Sequence, residues 1–249
     1  MEPFKIRKLS GLQDLHTEPA KRQSIQVEHG VFRSLAVTRP TSTFAPMHYE
    51  VNYAYPLIIW MHGDGMDETQ LIRVMPMISL RNYMAVSLRG NRAYEASGKQ
   101  MPGHYWMREA YDEALAGVQE CMDATQKRYN ISPKRIYLVG SGGGGTMALR
   151  LAFKNPRLFT GVVSLDGPLP NDEMLLEHLK ELRKIRVMIG ISRASEKYPV
   201  AEACEHLSLL HAAGLLVTVR NYPTAGTLQM DMLQDVDRWI MGSIDSVMK

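Results

Sequence analysis

Lys134-Arg-Ile-Tyr-Leu-Val-Gly140-Ser141-Gly142-Gly143-Gly144-Gly145-Thr146-Met-Ala-Leu-Arg-Leu-Ala-Phe153 is the stretch on which the fold turns. Arg135–Val139 is a short apolar, strand-forming run, and Thr146–Lys154 repeats its apolar residues at helical spacing and stops before Pro156. Between them the chain is almost all glycine, the composition of a backbone bent too tightly for side chains. A strand entering a helix through such a turn is half of a β–α–β unit, and the flanking sequence repeats the pattern. Upstream, Leu57–Met61 is a dense apolar run bounded by Pro56 and by His62-Gly63-Asp64-Gly65. A helix opened by Asp67 or Glu68 follows, carrying Leu71, Val74, Met75 and Ile78, and then a strand over Tyr83–Leu88. Downstream, strands are expected at Phe159–Leu165, Arg186–Ile191 and Leu215–Tyr222. They alternate with helices at Asn171–Arg183, Val200–Ala213 and Asp231–Met248.

Farther out the pattern loosens. Ser24–Val27 and Ser34–Thr38 read as short strands about a His29-Gly30 turn, residues 1–23 as a polar tail, and Arg89–Met107 as a loop before a long amphipathic segment, Arg108 to Tyr129. Repeated strand–helix units imply an α/β fold, a mostly parallel central sheet with helices on both faces, in a single domain over residues 24–249.

The chain has 249 residues, 45% apolar and 22% charged, which is globular composition and excludes a disordered or disulfide-dense chain. Its 29 basic residues exceed its 26 acidic ones by three and are scattered, so no nucleic-acid surface is expected. No apolar run approaches the ~20 residues of a membrane span, no signal-peptide core is visible, and Cys121 and Cys204 fit neither a disulfide framework nor a metal site. A cytoplasmic protein without metal or cofactor is the expectation.

The segments YPLIIWMHGDGMDETQL, KRIYLVGSGGGGTMALRLAF and VVSLDGPLP occur in the order and spacing of a known group. The sequence resembles the phospholipase/carboxylesterase branch of the α/β-hydrolases, above all its bacterial esterase-like members, relatives of acyl-protein thioesterases. The similarity runs from about residue 25 to 247. It implies an α/β-hydrolase fold and hydrolysis of esters or thioesters by a Ser–Asp–His triad, with a serine on the tight turn, an imidazole to take its proton and backbone N–H groups to hold the oxyanion.

Aligned on that pattern without gaps, the three triad positions carry the wrong chemistry. The nucleophile position is Gly142, the acid position Ser195 and the base position Gly226, and no histidine lies between Ala212 and Lys249. Ser141 is one residue early, so it is expected beside the pocket; it is the fallback nucleophile of an active carboxylesterase reading. Glu196 reads as a solvated loop residue, and His178, His206 and His211 read as surface or packing residues. The resemblance leaves an oxyanion site at the N–H groups of Asp64 and Gly143, with Gly63 and His62 shaping the loop. Arg92, His104, Tyr105 and Trp106 are candidate pocket lining. The leading expectation is a hydrolase scaffold that has lost hydrolysis and binds a small acyl or anionic ligand, or a partner. A third reading, dinucleotide binding through Gly140–Gly145 with Asp166 on the ribose, follows from the G-x-G-x-x-G match.

Overall fold

Side chains alternate across a strand, so a strand covered on both faces is apolar at every position. Tyr55–Met61 meets that condition: all seven residues are buried, Leu57, Ile59 and Met61 toward one core and Ile58 and Trp60 toward another. The computed structural model describes residues 25–27, 30–33, 37–94, 103–170, 178–224 and 226–245. Within them the strands are β1 (Ile25–Val27), β2 (Gly30–Arg33), β3 (Thr41–Ala45), β4 (Tyr55–Met61), β5 (Met84–Leu88), β6 (Arg92–Tyr94), β7 (Gly103–Tyr105), β8 (Ile131–Ser141), β9 (Gly161–Leu165), β10 (Arg186–Ser192) and β11 (Leu216–Tyr222). The helices are α1 (Gln70–Ile78), α2 (Tyr111–Arg128), α3 (Gly143–Lys154), α4 (Leu179–Leu182), α5 (Val200–Ala212) and α6 (Met230–Asp245).

Nine strands form one sheet in the order β1-β2-β3-β5-β4-β8-β9-β10-β11. β1, β2, β3 and β5 pair antiparallel, and every pairing from β5 to β11 is parallel. Helices α2, α3 and α5 cover one face through Val118, Leu149, Phe153 and Leu210. Helices α1 and α6 cover the other through Leu71, Val74, Met75, Met232, Val236 and Ile240. This is the α/β-hydrolase arrangement, a mostly parallel sheet with helices on both faces, as the alternating pattern implied.

Several expected elements move. The strand expected at Ser34–Thr38 is displaced: residues 34–36 lie outside the described residues, 37–39 form a bend, the strand paired with β1 is β2, and an unexpected strand, β3, follows the bend. Thr41, Ser42 and Thr43 are polar by type but wholly buried, which apolar patterning does not reveal. Helix α1 starts at Gln70, after a turn closed by Asp67 Oδ1, which accepts the Thr69 N–H at 2.9 Å. The Arg89–Met107 segment contains the β6–β7 hairpin, bridged to the His62–Gly65 loop by His104 N–H to Met66 O at 3.2 Å and Gly65 N–H to His104 O at 3.1 Å. The 1–23 tail and positions 171–177 of the expected Asn171–Arg183 helix lie outside the described residues; α4 supplies its end.

Candidate active site

The parallel strands β4, β8, β9 and β10 end at one edge of the sheet, and the loops that follow them make the site. Gly142 joins β8 to α3 with φ 53° and ψ −128°, a left-handed conformation that an L side chain rarely adopts. Its N–H donates to Leu165 O at 2.8 Å, and its carbonyl accepts the Thr146 N–H at 3.1 Å. A Cβ on Gly144 would overlap the carbonyl oxygens of His62 and Met61, so α3 can lie this close to β4 only through glycine. The glycine run is therefore explained by helix–strand approach. The acidic residue expected on a ribose is engaged elsewhere: Asp166 accepts the Ser192 N–H on one oxygen and the Ser192 hydroxyl on the other, both at 2.6 Å. The dinucleotide reading thereby loses its ribose partner.

The loop after β4 is held from below. Gln70 Oε1 accepts the Trp60 indole N–H at 2.9 Å and the Gly63 N–H at 3.0 Å. His62 is fully buried and committed at both ring nitrogens: Nδ1–H donates to Gly63 O at 2.9 Å, and Nε2 accepts the Gly90 N–H at 2.7 Å. Burial pushes its pKa below the ordinary histidine value, so it is a neutral strut with no nitrogen left for a substrate hydroxyl. Glu68 and Arg89 brace the entry to α1 through two contacts, at 2.6 and 2.8 Å.

The positions named by the resemblance converge. Gly63, Asp64, Ser141, Gly142, Ser195 and Gly226 all line one cavity of about 470 Å³. Gly226 has φ 83°, and a Cβ there would stand 3.4 Å from Ser195 Oγ, so the acid and base positions are neighbours. Ser195 Oγ instead accepts the Tyr198 N–H at 3.2 Å. The Ser141 hydroxyl lies against Gly63, 3.0 Å from where a Cβ would stand, and no described imidazole bonds to it. His206 bonds Tyr198 OH through Nδ1 at 3.1 Å, and His178 and His211 are exposed; none of the three lines this cavity.

Asp64 alters the expected oxyanion site. Its Oδ1 lies over Gly143, where a Cβ would overlap it, and its Oδ2 is 3.5 Å from the Cβ position of Gly142. The chain thus places its own carboxylate beside the two elbow glycines, on the side where their side chains would stand. Lys197, on the acid-position loop, reaches across to Asp64 Oδ2 at 3.0 Å. A second cavity of about 310 Å³ lies beyond this bridge, lined by Gly143, Trp106, Arg108 and Arg150 and sharing Asp64, Gly142, Asp166 and Lys197 with the first. Of the four candidate lining residues only Trp106 borders it, with its indole N–H on His62 O at 3.1 Å. Arg92, His104 and Tyr105, all in the β6–β7 hairpin, line neither cavity.

Sequence reasoning missed Lys197, Arg108 and Arg150 as lining, and Gln70 and Asp166 as braces. Glu196 does border the larger cavity. The position of Lys197 one residue beyond Glu196 was the only available signal. Among the described residues no group of three or more His, Cys, Asp or Glu side chains could hold a metal ion, and no helix is long and apolar enough to cross a membrane.

The sequence profile of the Phospholipase/Carboxylesterase family matches residues 50–244. The chain belongs to that family. NocK of Nocardia uniformis subsp. tsuyamanensis, which carries a provisional esterase name, is 27% identical over 116 residues, 47% of this chain. The match spans only 34% of that relative's length. The Bacillus cereus carboxylesterase superposes with a TM-score of 0.65 at 20% identity over 83% of this chain and 95% of its own. The Mesorhizobium loti carboxylesterase does so at 0.64 and 17%, over 85% and 99%. At such identities these structures establish that this family member shares the carboxylesterase fold.

Proposed function

We propose that this carboxylesterase-fold protein has lost ester hydrolysis and retains its cleft for binding a small ligand or a partner. One observation carries the reading. Gly142, Ser195 and Gly226 meet in a single cavity, offering a hydroxyl at one position and no side chain at the other two, while the nearby His62 is locked at both nitrogens. Losing the triad costs roughly 10⁴–10⁶ in rate, and the members act as a unit, so nothing at the other positions compensates. The unpaired cysteines, Cys121 buried and Cys204 exposed, suit a reducing, cytoplasmic setting.

Incubation with p-nitrophenyl acetate and, separately, with a fluorophosphonate probe tests this. The expected outcome is hydrolysis no faster than a surface-matched control protein and no covalent adduct. An adduct on Ser141, abolished by Ser141→Ala, would establish the active-serine alternative and overturn the proposal.

A further inference from the structure

Gln70 uses only one side of its carboxamide to hold the fold. Oε1 accepts both the Trp60 indole N–H and the Gly63 N–H. That fixes the group, because exchanging its oxygen and nitrogen would set N–H donors against N–H donors. The Nε2–H donors are left without an acceptor among the described residues, although Gln70 is only 9% exposed. Gln70 lines the larger cavity, and so does Ser141, whose hydroxyl likewise has no hydrogen-bond partner among the described residues. A Cβ on Gly63 would stand 3.0 Å from Ser141 Oγ and 3.8 Å from Gln70 Nε2, so the two groups flank one patch of the wall.

A buried donor without an acceptor is a cost that a ligand removes by bringing an oxygen to it. The Ser141 hydroxyl can donate one hydrogen bond and accept others, so it complements a donor carried beside that oxygen. Charge narrows the choice further. Asp64, Asp166 and Glu196 border the cavity against the single ammonium of Lys197, so a carboxylate would enter against the prevailing field. Met66, Ala194 and Leu228 supply apolar wall for the rest of a small molecule.

We infer that the larger cavity binds a small neutral carboxamide, whose carbonyl oxygen accepts from Gln70 Nε2–H and whose own N–H donates to Ser141 Oγ. The inference rests on the reading of the cleft as a binding site without hydrolysis, and it names the ligand class of that site. A carboxamide carries an acceptor and a donor side by side, and the wall presents the complement of each. Gln70 is also pre-organised for the role: its oxygen is tied to β4 and to the loop after it, so little side-chain freedom is lost on binding.

Benzamide, acetophenone and benzoate share one shape. The first offers an acceptor and a donor, the second the acceptor alone, the third two charged acceptors. Titrations of the full chain with each, followed by NMR through the Gln70 side-chain NH₂ resonances, give three affinities. Benzamide is expected to bind about three-fold more tightly than acetophenone, the size of one neutral hydrogen bond, and about ten-fold more tightly than benzoate. Gln70→Glu keeps an acceptor for Trp60 and Gly63 but removes the donors, and is expected to weaken benzamide about ten-fold, read on the Ser141 and Gly142 backbone amides. Ser141→Ala leaves Gln70 untouched and is expected to bring benzamide down to the affinity of acetophenone. If acetophenone or benzoate matches benzamide, if either variant binds benzamide as the parent does, or if no probe moves the Gln70 resonances, the proposal is overturned. Fluorophosphonate labelling stands apart from these titrations: an adduct with the benzamide preference intact removes the non-hydrolytic reading alone, and no adduct with the Gln70 resonances unmoved removes this inference alone.

Discussion

Combining Gly142→Ser, Ser195→Asp and Gly226→His puts a complete triad on the three converging positions, and the structure sets the size of each effect. The cavity admits the new atoms, since a Cβ at position 142 meets only Asp64 Oδ2 at 3.5 Å and one at 226 meets Ser195 Oγ at 3.4 Å, both ordinary contacts. The backbone resists them, because φ is 53° at Gly142 and 83° at Gly226. Non-glycine residues in such regions carry about 1–3 kcal/mol of strain each, so the variant loses about 2–6 kcal/mol of stability. In a domain of this size that lowers Tm by roughly 5–20 °C, read by calorimetry. Turnover of p-nitrophenyl acetate should rise about 10²-fold over the parent, below the roughly 10⁴–10⁶ of an evolved triad because the imidazole lacks tuned supports. Adding Asp64→Asn should raise it by about a further ten-fold, since the native carboxylate repels a developing oxyanion over Gly143. The control carries Gly226→Ala in place of Gly226→His. Equal turnover in parent and triple variant, or the same gain in the control, would refute the reasoning.

Two further outcomes follow from the same loops. Gly144→Ala should cost about 3 kcal/mol and lower Tm by roughly 6–12 °C, because its Cβ meets the backbone oxygens of Met61 and His62; Gly143→Ala should cost far less, since it meets only the movable Asp64 side chain. His62 has a lowered pKa in the fold, so its contribution to stability is complete above the unfolded value near 6.5 and is lost as pH falls, by up to ~1.4 kcal/mol per pH unit. Denaturation curves from pH 8 to 5 should steepen in that window and flatten in His62→Gln. His104, shifted the same way by a lesser burial, is left unchanged in both proteins.

The parallel half of the sheet was legible because strands buried on both faces, such as β4, β5 and β9, permit almost no polar residue. The elbow was legible too, since the approach of α3 to β4 enforces glycine at 144. β3 was not, because Thr41, Ser42 and Thr43 are buried as hydroxyl-bearing residues, and two of the buried hydroxyls nearby, Thr43 Oγ1 and Ser87 Oγ, find no partner. At the site, the emptiness of positions 142, 195 and 226 could be read by alignment alone, but the direction of a side chain could not. Asp64 entered the sequence reading through its N–H, and only the folded geometry turns its carboxylate onto Gly143. Lys197 meets it across 133 residues of chain, a distance no local pattern spans. His62 reads from sequence as part of the loop's architecture, but only the fold shows how it acts, with Gly90 and Gly63 occupying both of its nitrogens.

The left-handed bend at position 142 has a thermodynamic corollary for how such a chain persists. A hydroxyl-bearing residue on that bend is a standing energetic burden, tolerated where turnover is under selection. With glycine there the same bend is nearly free of penalty, because no β-carbon crowds the peptide groups. Glycine at this turn thus leaves the domain a larger folding margin than a hydroxyl-bearing residue there would. Such a margin is what lets neighbouring loops, 195–199 among them, absorb substitutions without unfolding the domain.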